Sequence, residues 1–286
     1  MIFLTGATGY VGRNVLAALA SDQQKIKVIV RPGTRKYLEE NFVGSVVETE
    51  DLFSESEHRL REVLAGVDTI VHLAWFAQPK YYLDSEKNLE CLMGSLNLAK
   101  AAVAVGVRRF VGIGTCAEYD QTGRLPISES APLAPRNLYG WAKVSVFHLL
   151  QEFFRLHKTE FAWCRLFYLY GGEEHGDRLV PYVRRRLAKS KTVQLTDGIQ
   201  VRDFLNVVEA GRQIVKVATS GYSGPINICS GIPITIRDFV TQIAAEYGRE
   251  DLLEFGALPR GANDANSVVG VTRFETLFPT ASRDPV

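Results

Sequence analysis

The segment LYGWAK, residues 138–143, carries a tyrosine and a lysine whose side chains have complementary chemistry. A phenol has a reference pKa of about 10, and a neighbouring ammonium group favours the phenolate and lowers that value. Lys143 follows Tyr139 by four residues, so in a helix the two side chains lie one turn apart on the same face. The pair predicts a proton-transfer centre in which Tyr139 is the acid or base.

A glycine-rich loop at the start of the sequence predicts what lies beside that centre. TGATGYVG, residues 5–12, has three glycines directly after the apolar strand MIFLT and opens an amphipathic helix. Such glycines allow a tight turn and a close approach of backbone to a pyrophosphate, and the helix N-terminus offers unpaired N–H groups. The loop therefore predicts a dinucleotide site. Its candidate residues are Gly6, Thr8, Gly9, Tyr10, Val11 and Gly12.

The end of the second strand indicates which dinucleotide is bound. An acidic residue normally stands there to accept from the ribose hydroxyl, but here KVIV is followed by Arg31. A guanidinium attracts a 2′-phosphate, which favours NADP(H); NAD(H) stays open, because the alternative for Arg31 is a solvated loop residue. Asp51 and Leu52, after the third strand, are expected to hydrogen-bond and cover the adenine, and Leu73 and Ala74 are expected to lie along the cofactor.

Strands and helices that alternate along the chain must position these residues. Apolar runs at residues 67–74, 109–115 and 161–170 read as strands, and the helices between them cover about 84–105 and 138–157. This order predicts an α/β fold with a doubly wound parallel sheet of the Rossmann type. Further helices are predicted at 180–189, 207–219 and 235–247.

The alternation loosens after Gly171, which suggests a second unit. We expect a dinucleotide-binding domain over residues 1–170, with a return of the chain around 200–228. A smaller C-terminal substrate-binding cap would comprise residues 171–199 and 229–286.

Composition excludes several classes of function. The 286 residues include 33 basic and 32 acidic side chains, so neither a nucleic-acid partner nor a membrane surface is indicated. The four cysteines lie far apart without a histidine at ligand spacing, which predicts reduced, mostly buried thiols and no metal site. The start of the sequence has no basic export signal, so a cytoplasmic protein is expected.

The motifs together resemble the extended short-chain dehydrogenase/reductases, often called the NAD-dependent epimerase/dehydratase family of nucleotide-sugar enzymes. The resemblance rests on TGATGYVG, VDTIVHLAW, GSLNLAKAA, RFVGIGTCAEY, LYGWAK, CRLFYLYG, DRLVP, VRDFLNV and INICSG. It implies that Thr115 hydrogen-bonds a substrate oxygen while Tyr139 transfers the proton, and that Asn88 helps to hold the helix and the proton relay. It also implies a homodimer formed through the helices that begin near Asp84 and Leu138.

The residues after Thr115 narrow the reaction that the resemblance implies. Dehydratases and decarboxylases of this kind carry an acid one or two positions later, where this chain has Cys116 and Ala117, and Glu118 comes one residue too late. A cysteine and histidine acid/base pair, as in 3,5-epimerase/reductases, would need a histidine where Arg178 stands. His175, three residues earlier, keeps that option open.

Reduction of a ketone is the reaction that we expect. The aromatic Tyr168 resembles the 4-ketoreductases of 6-deoxysugar pathways, and Arg178 and Arg202 match positions that bind the nucleotide diphosphate. An ion pair of Arg202 with the neighbouring Asp203 is the alternative for that residue. The expected activity is NADPH-dependent reduction of the 4-keto group of a nucleotide-linked 4-keto-6-deoxyhexose. A nucleotide-sugar 4-epimerase and a non-catalytic NADP(H)-binding regulator remain alternatives.

Several charged groups are expected to have no role in the chemistry. Glu173 and Glu174 are expected to be exposed in a loop, and residues 184–189 to form a solvated helix face. His72, at the end of a strand, is expected to make a structural hydrogen bond.

Overall fold

The strand, loop and helix expected at the start of the sequence are present. A computed structural model describes residues 1–38, 42–123, 126–261 and 264–279. Strand β1 (Ile2–Thr5) leads through the glycine loop into helix α1 (Tyr10–Ser21), and strand β2 (Ile26–Val30) runs parallel beside β1. All four residues of β1 are buried, as is usual for a strand covered on both faces.

The other strands follow in chain order within the described ranges. They are β3 (Ser45–Glu48), β4 (Thr69–His72), β5 (Arg109–Thr115), β6 (Glu160–Leu166), β7 (Tyr168–Tyr170), β8 (Val193–Leu195), β9 (Val201–Asn206), β10 (Gly224–Ile228), β11 (Pro233–Thr235), β12 (Leu253–Phe255) and β13 (Ser267–Val268).

Seven of the described strands form one parallel sheet in the order β10-β6-β5-β4-β1-β2-β3. The order reverses between β1 and β4, which is where a doubly wound sheet opens a crevice outside the carboxyl ends of its strands. The fold predicted from the sequence is therefore confirmed. The glycine loop after β1 and Thr115 at the end of β5 both face this crevice end of the sheet.

Helices cover both faces of the sheet. Within the described residues they are α2 (Glu57–Leu64), α3 (Lys87–Ala104), α4 (Leu138–His157), α5 (Leu179–Leu187), α6 (Val207–Thr219), α7 (Ile236–Ala245) and α8 (Phe274–Leu277), in addition to α1. Helices α1 and α6 share one hydrophobic core with the sheet, and α2, α3 and α4 share the other. Leu4 belongs to the first core and Phe3 to the second, as the alternation of a strand requires.

Helix α4 has both of the ends that the sequence predicts. It begins after Asn137, whose side chain accepts from the backbone N–H of Gly140 at 2.8 Å, and it ends at Lys158 in a left-handed conformation. The helix predicted at 84–105 is shorter in the structure, and so is the one predicted at 235–247. The latter begins after Thr235, which is its N-cap and accepts from the N–H of Asp238. The helix predicted at 180–189 is shifted to Leu179–Leu187, and the strand at 67–74 is limited to Thr69–His72.

The run at residues 161–170, predicted as one strand, is two strands. Strand β6 ends at Leu166, and the N–H of Phe167 donates to the carbonyl of Ile228 in β10 at 3.1 Å. Strand β7 then pairs with β9 instead of with the main sheet. The prediction was wrong because a mostly apolar run does not show where a strand changes its partner. The change transfers Tyr168 to the second sheet.

The C-terminal part of the chain builds smaller sheets around their own core. Strand β9 pairs with β7, β11 and β13, and β8 pairs with β12. Helices α5 and α7 pack on these strands. Residues 262–263 and 280–286 of the expected cap lie outside the described residues. No helix in the described ranges combines the length and apolarity that a membrane crossing requires.

A carboxylate and a guanidinium are buried together at the end of β5. Glu118 is 0% exposed and Arg165 1%, and Nε of Arg165 donates to Oε2 of Glu118 at 2.6 Å. Glu118 Oε1 also accepts from the backbone N–H of Thr115 at 2.8 Å and from Nε1 of Trp163 at 3.0 Å. Each buried charge is stabilised by the other, because burying an unpaired ion costs several kcal/mol of desolvation free energy, about 3–5 kcal/mol when one partner is removed.

We predict that Arg165→Met lowers the free energy of unfolding by about 3–5 kcal/mol, because it leaves Glu118 as an unpaired buried charge. Urea denaturation measures the loss. Adding Glu118→Met should recover most of it, since the double variant has no stranded ion. Arg155→Met, in the exposed Arg155–Glu152 pair, serves as the control and should change little. Equal losses in the two single variants would contradict the assignment.

Candidate active site

The glycine loop forms a cradle that no larger residue fits. Gly6 has a φ of +70°, and a Cβ built there would lie 2.7 Å from the backbone nitrogen of Ala74. A Cβ on Gly12 would lie only 1.9 Å from the carbonyl oxygen of Gly6. Gly9 is the N-cap residue of α1, so the first turn of the helix presents its N–H groups around Tyr10 and Val11 without a capping side chain. This arrangement fits a pyrophosphate at the helix N-terminus.

The end of β2 leaves Arg31 exposed. Its carbonyl accepts from the hydroxyl of Thr34 at 2.7 Å, which closes a turn, while its guanidinium pairs with no carboxylate of the described residues. On the other side, Asp51 is exposed and one carboxylate oxygen accepts from the N–H of Phe53 at 3.0 Å. Leu52 is 8% exposed and packs in the core, so little of its surface is free to cover an adenine.

His72 makes the structural hydrogen bonds that were predicted for it. Nδ1 lies 2.8 Å from the Thr5 hydroxyl, and Nε2 lies 2.9 Å from the Ser95 hydroxyl. Burial lowers the pKa of His72 to about 3, so the ring is neutral. The Thr5 hydroxyl also accepts from the N–H of Ala74 at 3.1 Å, and the N–H of Leu73 donates to the Thr5 carbonyl at 3.3 Å. Leu73 and Ala74 are thereby fixed beside the glycine loop.

Tyr139 lies in the first turn of α4 between two aromatic rings. The Tyr82 ring is perpendicular to it at 4.9 Å and the Trp75 ring at 6.3 Å, measured between ring centroids. Burial raises the pKa of the Tyr139 hydroxyl, the Tyr82 hydroxyl raises it further, and a hydrogen bond with Thr115 lowers it. The structure therefore brings Tyr139 and Thr115 together, as the sequence predicted.

Lys143 is 4% exposed and follows Tyr139 by four residues in α4. Its Nζ donates to the carbonyl of Ile113 at 2.7 Å and lies 6.0 Å from the centre of the Tyr139 ring. Burial lowers the pKa of Lys143 to about 7, although Glu118 and Cys91 partly oppose this change. The charge of Lys143 is therefore sensitive to pH near neutrality.

Thr115 is held by the 3₁₀-helix Cys116–Glu118 that follows β5. Its hydroxyl accepts from the N–H of Ala117 at 3.2 Å, and its own N–H is bound by Glu118. Cys116 is buried, and burial raises the pKa of its thiol to about 12. All four cysteines are buried and unpaired, as expected. Within the described residues no histidine, cysteine and carboxylate cluster could hold a metal ion.

Asn88 holds the segments that border Tyr139, and its part in a proton relay stays a prediction. It is fully buried, and its Nδ2 donates to the carbonyls of Tyr82 at 2.6 Å and Ser85 at 2.9 Å. Its Oδ1 accepts from Nε1 of Trp75 at 2.8 Å. Asn88 thus holds the two segments whose rings flank Tyr139. Neither Trp75 nor Tyr82 was identified from the sequence. Trp75 is the last residue of the VDTIVHLAW motif, directly after Ala74, and this position is the signal that could have identified it.

Arg202 is ion-paired, but with a different partner from the one considered. It is 3% exposed, its Nη2 pairs with Asp264, and its guanidinium lies 5.3 Å from the centre of the Tyr168 ring. The neighbouring Asp203 instead accepts from the N–H of Ser230 at 2.8 Å and of Gly231 at 2.9 Å. Burial raises the pKa of the Tyr168 hydroxyl, and the Cys116 thiol adds to the rise.

A comparison of the sequence with known protein families shows which family the chain belongs to. The sequence description of the "NAD dependent epimerase/dehydratase family" matches residues 2–229. The chain belongs to this family. Its members' nicotinamide cofactor suits the glycine cradle, against which Ala74 lies, and the next residue, Trp75, contacts Tyr139 and Lys143.

Individual relatives carry out related reactions. The dTDP-6-deoxy-L-talose 4-dehydrogenase (NAD(+)) of Aggregatibacter actinomycetemcomitans is 25% identical over 275 residues, which cover 94% of this chain and 98% of that protein. The GDP-6-deoxy-D-mannose reductase of Pseudomonas aeruginosa is 26% identical over 255 residues, covering 85% and 79%. A structure of UDP-N-acetylglucosamine 4-epimerase from Methanobrevibacter ruminantium, in complex with UDP-N-acetylmuramic acid, superposes with a TM-score of 0.85 at 20% identity. It covers 98% of this chain and 92% of that one and shows the common fold.

The loop after β7 contacts helix α1 through two side chains of the helix. The Tyr10 hydroxyl donates to the carbonyl of Gly171 at 2.9 Å, and Arg13 pairs with Glu173. Arg178 is exposed at the start of α5, where its charge acts on the hydroxyls of Tyr10 and Tyr82.

Glu174 departs from the expectation of full exposure. It is half-buried, and its Oε2 has no hydrogen-bond partner among the described residues. Burial raises its pKa to about 7, against the attraction of Arg178. His175 is exposed, with Nδ1 accepting from the N–H of Asp177, whereas Cys116 is buried. The two do not share an environment that would suit an acid/base pair.

We predict that Glu174→Gln stabilises the protein at pH 8 and leaves it unchanged at pH 4. The folded state holds a proton on Glu174 up to about pH 7, whereas the unfolded chain releases it near pH 4.5. The folded state therefore binds more protons between these values, and its stability falls as pH rises through them. Thermal unfolding at both pH values measures the difference.

The neighbouring variant Glu173→Gln is the matched control. Glu173 is exposed and paired with Arg13, so its loss should not raise the melting temperature at pH 8. A gain for Glu174→Gln of the same size at pH 4 and pH 8 would contradict the prediction.

Proposed function

We propose that the protein reduces the 4-keto group of a nucleotide-linked 4-keto-6-deoxyhexose, with NADPH as the favoured cofactor. The observation that carries this proposal is the group formed by Thr115, Tyr139 and Lys143 at the carboxyl end of the sheet, with no acid in the two positions after Thr115. A bound reduced nicotinamide would supply the hydride.

The residues of this chain would supply the proton and the polarisation. The Tyr139 hydroxyl donates its proton to the ketone oxygen, and the Thr115 hydroxyl hydrogen-bonds the same oxygen. The Lys143 ammonium stabilises the phenolate that remains. Burial raises the pKa of Tyr139, so the hydroxyl is protonated and ready to donate before a ligand arrives.

The nearby acids favour reduction over elimination. Glu118 is the first carboxylate after Thr115, and it is fully buried in its pair with Arg165. It is therefore unable to take a proton from a sugar carbon. Cys116 remains a neutral thiol because burial raises its pKa to about 12, so it is a poor base at neutral pH.

Three side chains are proposed for the nucleotide sugar. Arg178 is exposed and free to contact a diphosphate. Arg202, buried in its ion pair with Asp264, lies beside the half-buried ring of Tyr168, and these two side chains would line the sugar pocket. In this proposal residues 171–199 and 229–286 form the substrate-binding cap, and residues 1–170 with 200–228 bind the dinucleotide.

The names of the two relatives support a 6-deoxyhexose substrate, since one is a 4-dehydrogenase and the other a reductase of such sugars. The first name specifies NAD(+), so Arg31 is the feature on which the preference for NADPH rests. A 4-epimerase is the second candidate, because it would use the same tyrosine, threonine and lysine without net use of cofactor.

A homodimer is part of the proposal. Helices α3 and α4 pack together and expose large apolar side chains. These are Leu89, Met93, Trp141, Leu149 and Leu156. Burial of such a surface against a second copy would remove it from water.

We predict that the purified protein oxidises NADPH when it is given a dTDP-linked or GDP-linked 4-keto-6-deoxyhexose. Loss of nicotinamide absorbance in proportion to substrate is the measurement. Tyr139→Phe should lower turnover about 10²–10⁴-fold with NADPH affinity nearly kept, because only the proton donor is removed.

Isomerisation of a nucleotide sugar without net loss of NADPH would show the epimerase instead. Cofactor binding with neither reaction would show a regulator. Full activity in Tyr139→Phe would overturn the assignment of the proton donor.

We predict that Arg31→Ala weakens NADPH binding roughly tenfold or more, because a charge-assisted contact to the 2′-phosphate is lost. NADH, which lacks that phosphate, is the internal control and should bind the variant as it binds the wild type. Fluorescence titration of both cofactors measures the two affinities. Equal weakening of both would contradict the preference for NADPH.

A further inference from the structure

The ammonium of Lys143 lies on the face of a tryptophan. Nζ is 3.6 Å from the centre of the Trp75 ring, compared with 5.8 Å for Trp163 and 6.0 Å for Tyr139. Attraction between a cation and an aromatic face is strongest for tryptophan and increases when water is excluded. Among the described aromatic rings Trp75 is thus the nearest to the lysine that the proposed reaction uses.

Trp75 is itself fixed at its polar end. Its Nε1 donates to Oδ1 of Asn88 at 2.8 Å, and the edge of its ring meets Tyr139. Asn88 also binds the carbonyl of Tyr82, whose ring contacts Tyr139 from the other side. One buried amide therefore sets the positions of both aromatic neighbours of the proton donor.

The indole replaces part of the hydration that Lys143 loses. Several titratable groups face Lys143: Glu118 from the 3₁₀-helix, Cys91 from α3, His72 from β4 and Tyr139 from its own helix. Of these, His72 and Cys91 are buried and uncharged at neutral pH, and Glu118 is shared with Arg165. The Trp75 face and the Ile113 carbonyl are the groups in direct contact with Nζ.

We propose that Trp75 is a positioning residue, which holds Lys143 charged and in place beneath Tyr139 and is itself held by Asn88. The proposal rests on the proposed reduction, because it assigns to Trp75 an effect on proton transfer by Tyr139. It does not depend on which nucleotide sugar is the substrate.

The first experiment compares pH profiles of turnover. The reaction needs charged Lys143, so turnover falls as pH rises through its pKa. Loss of the indole disfavours the charged form and moves this fall to lower pH. For Trp75→Leu we expect kcat to decrease about tenfold or more and the alkaline fall to move down by about one pH unit.

Trp75→Phe keeps an aromatic face and should restore part of both effects, and it guards against a folding defect in Trp75→Leu. Phe76→Leu is the matched control, because the Phe76 ring faces Lys87 and not Lys143. A lower kcat in Trp75→Leu with an unmoved pH profile, or equal effects for Trp75→Leu and Phe76→Leu, would overturn the proposal.

The second experiment needs no substrate, so it separates this proposal from the proposed function. Tryptophan fluorescence of the wild type should titrate with a midpoint near pH 7 as Lys143 loses its charge beside Trp75. Lys143→Met should remove this transition, and Trp75→Phe should remove most of it, because the Trp163 ring lies further from Nζ, at 5.8 Å.

A transition that survives in Lys143→Met, keeps its full amplitude in Trp75→Phe, or is absent from the wild type would overturn the assignment of Trp75. If the transition is present but no sugar is reduced, the proposed function fails while the contact between Trp75 and Lys143 stands.

Discussion

The carboxyl end of the sheet depends on one buried carboxylate. Glu118 binds the backbone of Thr115, the indole of Trp163 and the guanidinium of Arg165, all without access to water. An ion in such surroundings tolerates little displacement, because each lost bond leaves a desolvated charge. The position of Thr115, and with it the 3₁₀-helix that carries Cys116, is set by this requirement. The same bonds remove Glu118 from any chemistry.

Exclusion of water also governs the two groups that would move the proton. Burial acts on Tyr139 and Lys143 in opposite directions, since it disfavours the phenolate of one and the ammonium of the other. Both groups are therefore drawn toward their neutral forms, and the aromatic contact of Lys143 opposes this for the lysine. A site built in this way keeps its tyrosine protonated, which suits a group that gives its proton to a ketone.

The sequence allowed the main features of this architecture to be predicted because each depends on local chemistry. Helix α4 could be placed by the alternation of strands and helices, and the glycine loop by its position between a strand and a helix. Thr115, Tyr139 and Lys143 followed from their motifs, and the structure brings Thr115 and Lys143 to Tyr139.

The features that were missed depend on distant partners. The change of sheet at Phe167 is set by the pairing of β7 with β9, and the partner of Arg202 stands 62 residues further along the chain. Glu174 is half-buried because other parts of the folded chain cover it, which the sequence of its loop does not indicate. The contact between Trp75 and Lys143 could not be predicted, because the two residues are far apart in the sequence and meet only in the folded chain.

The two contacts between the loop after β7 and helix α1 have a mechanical consequence. Tyr10 and Arg13 both reach from the first turns of the helix to this loop, one through the Gly171 carbonyl and the other through Glu173. Gly171 and Gly172 have φ angles of +92° and +59°, which glycine adopts without strain and other residues rarely do. A displacement of the loop is therefore passed through both contacts to the first turns of α1, the helix that the glycine loop opens.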